Sequence, residues 1–148
     1  MITKEQIIHK YCCLYVSDFH LEMILLPFIK NNIDKTNVII FTEKDLDKTI
    51  RILLDRINLK KEDKNKILDL KNWTNERIEI IKSKKLRNYT IIINGSKEYI
   101  KDVEKDFVNL NYKKINVVHC LDLNNDEWNI TEIAKNYMQI LNVKNIEE

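Results

Sequence analysis

Residues 89–93 read Tyr-Thr-Ile-Ile-Ile and decide the class of fold. Successive β-branched and aromatic residues are typical of a strand that is buried on both faces, because a strand with one wet face alternates apolar and polar positions. Residues 115–121 read Ile-Asn-Val-Val-His-Cys-Leu and have the same character. We therefore expect both segments to be central strands of a largely parallel sheet with helices on its two faces.

Strand-like and helix-like segments alternate from this pair towards the N-terminus. A strand is predicted at His9–Val16, and the apolar spacing of the next segment predicts a helix at Phe19–Asn32. A second strand is predicted at Asn37–Phe41, followed by a helix that Thr42 caps and that runs to about Ile57. Each strand with its helix forms one βα unit.

The middle of the chain predicts a third unit. The charged run Lys60–Lys66 is typical of a solvated loop. Ile67–Leu70 is predicted to be a brief strand, and Thr74–Lys85 a helix.

Two further helices complete the pattern. Ser96 is predicted to begin a helix with an inner face, and the spacing of Asn129 and Glu132 is that of a capping box. The apolar residues assigned to these two helices are Tyr99, Ile100, Val103, Phe107 and Leu110, then Ile133, Tyr137, Ile140 and Leu141. The sequence thus predicts one three-layer α/β domain over residues 1–148, with a mostly parallel sheet of about five strands and helices on both faces.

Composition excludes several classes of protein. The 148 residues carry 25 Lys and Arg against 23 Asp and Glu, a net charge of +2, so a dedicated nucleic-acid binder is not expected. Met1–Lys10 lacks the apolar core of a targeting segment, and no apolar run approaches the roughly 20 residues of a membrane span. Three cysteines do not make a disulfide framework. A cytoplasmic protein without membrane association is expected.

Glycine usage bears on catalysis. The chain has a single glycine, Gly95, so neither GxxxxGK[ST] nor GxGxxG is present, and a GxSxG elbow is missing too. Kinases, P-loop ATPases, ordinary Rossmann dehydrogenases and serine hydrolases are therefore disfavoured. We expect no cofactor and no catalytic residues, and a protein that is not an enzyme.

A metal site is not expected either. The candidate ligands, which fall mostly in predicted strands, are His9, Cys12, Cys13, His119 and Cys120. Neighbouring residues of a strand point to opposite faces, so these side chains do not converge. The cysteines are interpreted as small core residues.

In parallel sheets a ligand binds beyond the carboxyl ends of the strands. Polar residues follow four predicted strands: Ser17, Asp18 and His20; Thr42, Glu43 and Asp45; Asn94, Gly95 and Ser96; Asp122, Asn124 and Asp126. As predicted ligand-binding residues we take Tyr15, Ser17, Asp18, His20, Thr42, Asn94, Ser96 and Asp122. Plain helix capping is the competing interpretation for the three hydroxyl residues, and simple exposure for the histidine.

The order of elements resembles the MEDS domain, the sensory domain named from methanogens, methylotrophs and the dichloromethane-responsive regulator. The resemblance lies in the strand from His9, the turn Ser17-Asp18, Leu26-Pro27-Phe28-Ile29 and the strand Asn37–Phe41, then in Val103-Glu104 with Asn109 and Val118–Asp122. It covers nearly the whole chain. In the last helix the family's His-Pro pair is replaced by Asn136-Tyr137-Met138.

The resemblance implies a fold similar to RecA- and KaiC-type ATPases without the phosphate loop, and a role in sensing or regulation. We therefore expect a non-catalytic sensory or adaptor domain that binds a small ligand or a protein and acts through a partner chain or self-association. The alternative is an enzyme or nucleotide binder with a degenerate phosphate site at Ser17, Asn94, Gly95 and Ser96.

Overall fold

A computed structural model of the protein describes residues 6–70, 73–77, 88–107, 110, 112–125 and 128–142. Among these residues the chain forms five strands: β1 (Ile7–Tyr15), β2 (Asn37–Thr42), β3 (Asn88–Asn94), β4 (Lys114–Asp122) and β5 (Gln139–Leu141). They make one sheet in the order β2-β3-β4-β1-β5, in which every neighbouring pair is parallel. The predicted α/β class is confirmed, and the sheet is consistent with a RecA-like architecture.

Helices accompany the sheet: α1 (Asp18–Asn32), α2 (Asp47–Arg56), α3 (Lys61–Asp69), α4 (Lys97–Glu104) and α5 (Ile130–Asn136). The first three pack around one core, to which the sheet contributes Ile40 and Ile92. The other two pack around a second core with Phe41 and Ile93. Because successive strand residues point to opposite faces, these adjacent pairs divide between the two cores. Within the described ranges no helix is long and apolar enough to span a membrane.

The two strands predicted at the centre of the sheet are confirmed there. β3 lies between β2 and β4, and β4 lies between β3 and β1. Residues 89–94 of β3 and residues 115–121 of β4 are all buried. The unbroken apolar runs are therefore explained by helical cover on both faces.

The prediction for Lys60–Lys66 and Ile67–Leu70 is wrong, because a helix, α3, replaces both the loop and the short strand. Ile67 is the one buried residue of α3, so the helix shows little apolar periodicity. Acidic residues occupy its first turn and Lys66 its last, an order that favours the helix dipole. A charged helix with a single apolar anchor therefore resembles a loop in sequence.

The helix predicted at Thr74–Lys85 is wrong where it can be compared. Residues 73–77 are not helical, and the remaining residues, from 78 onward, lie outside the described part of the chain. Trp73 is buried in the core beneath α1, α2 and α3. Arg77 instead donates to Asp102 of α4 at 3.0 Å. Residues 73–77 therefore cross from the first core to the side of the sheet that α4 covers.

Two predicted helix bounds also need correction. Thr42 is the last residue of β2 rather than a helix cap, and the residue that precedes α2 is Leu46, which makes no side-chain capping bond. Helix α4 ends at Glu104, so Phe107 and Leu110 lie beyond it, although both contact the second core.

The last predicted helix is too long. Helix α5 ends at Asn136, and Ile140 and Leu141, which we assigned to it, belong to strand β5 beside β1. At the point where the helix stops, Tyr137 contacts His119 of β4, with 2.7 Å between the hydroxyl and Nδ1. This part-buried polar contact joins the end of α5 to the sheet, and the C-terminal segment that follows forms the fifth strand.

Candidate functional site

A crevice forms where two neighbouring strands send their connections to opposite faces. After β1 the chain enters α1 on one face, whereas after β4 it leads to α5 on the other. Ligands of doubly wound sheets bind at such a switch point. Beside it lies a cavity of about 210 Å³, lined by Tyr15, Glu43, Lys44, Asn94, Gly95, Ser96, Asp122 and Asn125.

The floor of this cavity is a chain of buried hydrogen bonds. Tyr15 donates its hydroxyl proton to Asn94 Oδ1 at 2.6 Å, and Asn94 Nδ2 donates to Thr42 Oγ1 at 3.0 Å. The Thr42 hydroxyl in turn donates to the Lys44 carbonyl at 2.5 Å. Burial, with smaller effects from neighbouring groups, raises the pKa of Tyr15, which therefore remains a neutral donor. The ends of β1, β2 and β3 are thus tied together beneath the opening.

Carboxylates and one ammonium group form the rim. Glu43 Oε1 accepts a hydrogen bond from the Ser96 amide at 3.1 Å. The Glu43 carboxylate therefore occupies the N-terminus of α4. Lys44 Nζ lies 3.1 Å from Asp18 Oδ2, so its charge is already paired with α1. The fourth turn contributes Asp122, which lines the cavity. The rim therefore carries more negative than positive charge.

The structure brings together half of the predicted site residues. Those that line the cavity are Tyr15, Asn94, Ser96 and Asp122. Thr42 supports the floor and Asp18 reaches the rim only through Lys44.

Ser17 and His20 are not among the residues that line the cavity. Ser17 is the N-cap of α1, and its hydroxyl accepts from the His20 amide at 3.2 Å. The His20 ring is turned back along the chain, where Nδ1 accepts from the Val16 amide at 3.0 Å. Ser96 is likewise the N-cap of α4, in addition to lining the cavity.

Sequence reasoning missed two lining residues, Lys44 and Asn125. Both lie in turns that follow strands, where we selected their neighbours. Position after a strand was the available signal, but which side chain turns inward depends on the turn. Glu43 and Gly95 were recognised as candidates by that signal and do line the cavity.

Gly95 is required by close packing. A Cβ atom at this position would lie 2.6 Å from Cδ2 of Tyr99 and 3.0 Å from Glu43 Oε1. We predict that Gly95→Ala lowers the free energy of unfolding by about 1 to 2 kcal/mol, because the ring and the carboxylate must move. Urea denaturation measures this, with Ser96→Gly as a comparison that removes a cap but adds no atom. An unchanged midpoint in Gly95→Ala would contradict the packing argument.

A larger groove of about 610 Å³ runs along α4, but it is a less convincing site. Most of its lining is exposed charged side chains of one helix, among them Lys97, Glu98 and Lys101. Charges of both signs alternate there, as on an ordinary solvated helix surface. The smaller cavity differs in having a buried polar floor built from three strands.

The three cysteines are buried residues of the central strands and do not form a reactive site. Cys12, Cys13 and Cys120 are all buried and not in disulfides. Cys13 and Cys120 are partners across β1 and β4, and burial raises the pKa of Cys120 well above its usual value. A buried neutral thiol is a poor nucleophile and a poor metal ligand. Within the described residues, no group of three or more histidine, cysteine, aspartate or glutamate side chains is placed to hold a metal ion.

Comparison with protein-family models, curated proteins and solved structures yields no match. The class is therefore defined by the fold and the site: a parallel α/β domain with a small polar cavity at the carboxyl edge of its sheet.

Proposed function

We propose that the protein is a non-catalytic sensory or adaptor domain of the cytoplasm that binds a small ligand at this cavity and acts in signalling or transcriptional regulation. The observation that carries the proposal is the buried chain of Tyr15, Asn94 and Thr42 under the opening. Buried polar groups cost free energy unless every partner is in place, so such a network fixes one arrangement of its surroundings. A preformed polar floor of this kind suits selective binding.

A non-catalytic role is supported by how the ionisable groups of the cavity are used. Glu43 accepts the Ser96 amide, and Lys44 is paired with Asp18. Among the eight residues that line the cavity there is no histidine or cysteine, and so no nucleophile paired with a histidine base.

The alternative, an enzyme or nucleotide binder with a degenerate phosphate site, has less support. Its key donor is the amide of Ser96, which already donates to Glu43 at 3.1 Å. Ser17 is outside the cavity lining. The cavity volume of about 210 Å³ is also below the roughly 300–1,000 Å³ of sites for drug-sized ligands.

A route for output is supported by the ion pair between the rim and α1. Asp18, the partner of Lys44, begins a helix that exposes the apolar side chains of Phe19 and Met23. A ligand that moves Lys44 also changes the environment of this helix terminus. We propose that occupancy alters contact with a protein partner or with a second copy.

The proposal is tested by amide NMR spectra recorded with four classes of small molecule: amines, carboxylates, phosphates including ATP, and neutral polyols. We expect at least one class to shift the amides of Tyr15, Gly95 and Asp122 saturably, without any chemical conversion. Sedimentation velocity with that compound then reports whether association changes. If no class shifts these amides, or if ATP is turned over, the proposed function is wrong.

A further inference from the structure

We infer that the ligand of this cavity is a small organic amine in its protonated ammonium form. The inference rests on the proposed function, because it names the chemical class of ligand for the same cavity. Three features carry it: the volume, the charge of the wall, and the occupied N-terminus of α4.

The volume sets the size of the ligand. A water molecule's share of liquid volume is about 30 Å³, so the cavity of about 210 Å³ holds on the order of seven non-hydrogen atoms. A compound of this size makes few contacts, and a charged group then provides a large share of its affinity. A nucleotide or a sugar phosphate would extend out of the cavity into solvent.

The charge of the cavity wall determines the sign of the ligand's charge. Glu43 and Asp122 face the cavity, and neither forms an ion pair with another residue of the described chain. Lys44, the one cation among the lining residues, is compensated by Asp18. With the Lys44–Asp18 pair neutralised, the carboxylates of Glu43 and Asp122 remain, and a cation in the cavity gains attraction from both.

The N-terminus of α4 argues against an anionic ligand. A helix N-terminus normally attracts anions through its unpaired amides. Here the carboxylate of Glu43 already accepts from the Ser96 amide, and the Ser96 hydroxyl accepts from the Tyr99 amide at 3.2 Å. A phosphate or carboxylate ligand would have to displace Glu43 and then lie beside it, which repulsion opposes.

The test titrates the full chain, labelled with nitrogen-15, with methylammonium, ethylammonium and 1,3-diaminopropane chlorides. Sodium chloride at equal ionic strength is the reference, and sodium acetate, sodium phosphate and ethylene glycol are the comparison compounds. We expect an amine to shift the amides of Gly95 and Asp122 saturably, and the comparison compounds not to do so.

Two variants remove charge but keep the side-chain oxygen that each internal hydrogen bond uses. Glu43→Gln still accepts from the Ser96 amide, and Asp122→Asn still accepts from the Asn124 amide. Each is expected to raise the Kd of the amine at least tenfold, because the ammonium group loses the attraction of one carboxylate charge. Glu98→Gln, an equal charge change outside the cavity, is expected to leave the Kd unchanged.

The outcomes separate the two proposals. If an anion or a polyol saturates the site and amines do not, the amine inference is wrong while ligand binding at the cavity stands. If amine binding is unaffected by Glu43→Gln and by Asp122→Asn, the amine binds elsewhere and the inference is wrong. If no compound of any class saturates, both the inference and the proposed function fall.

Discussion

Glu22→Gln is expected to raise the free energy of unfolding by roughly 3 kcal/mol at pH 8 and by clearly less at pH 5. Glu22 lies in α1 and is completely buried. Burial raises its pKa to about 7, opposed by the hydrogen bond from Thr49 and assisted by Asp18. The wild-type protein therefore loses stability as this carboxyl ionises.

The contacts of Glu22 explain why its neutral form is favoured. Oε2 lies at hydrogen-bond distance from the Thr49 hydroxyl, which is also 3.1 Å from the Leu46 carbonyl. The Thr49 hydroxyl donates to Oε2, but its single proton is shared between this carboxylate and the Leu46 carbonyl, so the ionised form has one incomplete donor. Oε1 is buried and has no hydrogen-bond partner among the described residues. A glutamine side chain keeps an oxygen that accepts from Thr49 but carries no charge.

The direction in which stability changes with pH follows from the pKa of Glu22 in the folded and unfolded states. An unfolded glutamate titrates near pH 4.3, so between that value and about pH 7 the folded state holds the proton more tightly. The stability of the neutral form is complete below this range and is lost as the pH rises through it. Urea midpoints at pH 5 and pH 8 measure the effect, and Asp55→Asn, at an exposed position of α2, is the control. Parallel pH dependence in wild type and Glu22→Gln would show that Glu22 is not the titrating group.

The strands could be predicted from sequence more reliably than the helices. β3 and β4 are enclosed on both faces, so nearly every position is buried and the sequence of each strand is a largely apolar run. α3 has one buried residue, Ile67, and its sequence therefore lacks an apolar face. β5 has three residues, of which only Leu141 is buried, too few to show a period. Its place is set by pairing with β1, which local sequence does not contain.

The site could be predicted in position but not in detail. Parallel strands place their carboxyl ends at one edge, so the turns were predictable once the strands were recognised. The ion pair of Lys44 with Asp18 joins two turns and depends on tertiary geometry. Glu22 could not be distinguished from an exposed glutamate, because one polar residue in an apolar helix is the ordinary pattern of a surface position.

Asn94→Ala is the second substitution with a large expected effect. Asn94 is 2% exposed and is both acceptor for Tyr15 and donor to Thr42. Removing the amide leaves a buried phenol and a buried hydroxyl without these partners, and each unsatisfied group costs about 1 to 3 kcal/mol. We expect the free energy of unfolding to fall by roughly 3 kcal/mol, whereas Asn31→Ala at an exposed position of α1 is expected to be nearly neutral.

A double-mutant cycle with Tyr15→Phe separates the hydrogen-bond chain from simple loss of packing. In the Tyr15→Phe background, Asn94→Ala no longer leaves a buried hydroxyl without an acceptor. The free energy of unfolding is therefore expected to fall by about 1 to 2 kcal/mol less than in the wild-type background. Additive effects would show that the 2.6 Å contact contributes little and that the floor is held by packing alone. Coupling of the expected size would mean that the ends of β1 and β3 are held at fixed separation by a polar bond under the cavity. The ligand binding that we propose at this edge would then depend on a floor that either substitution loosens.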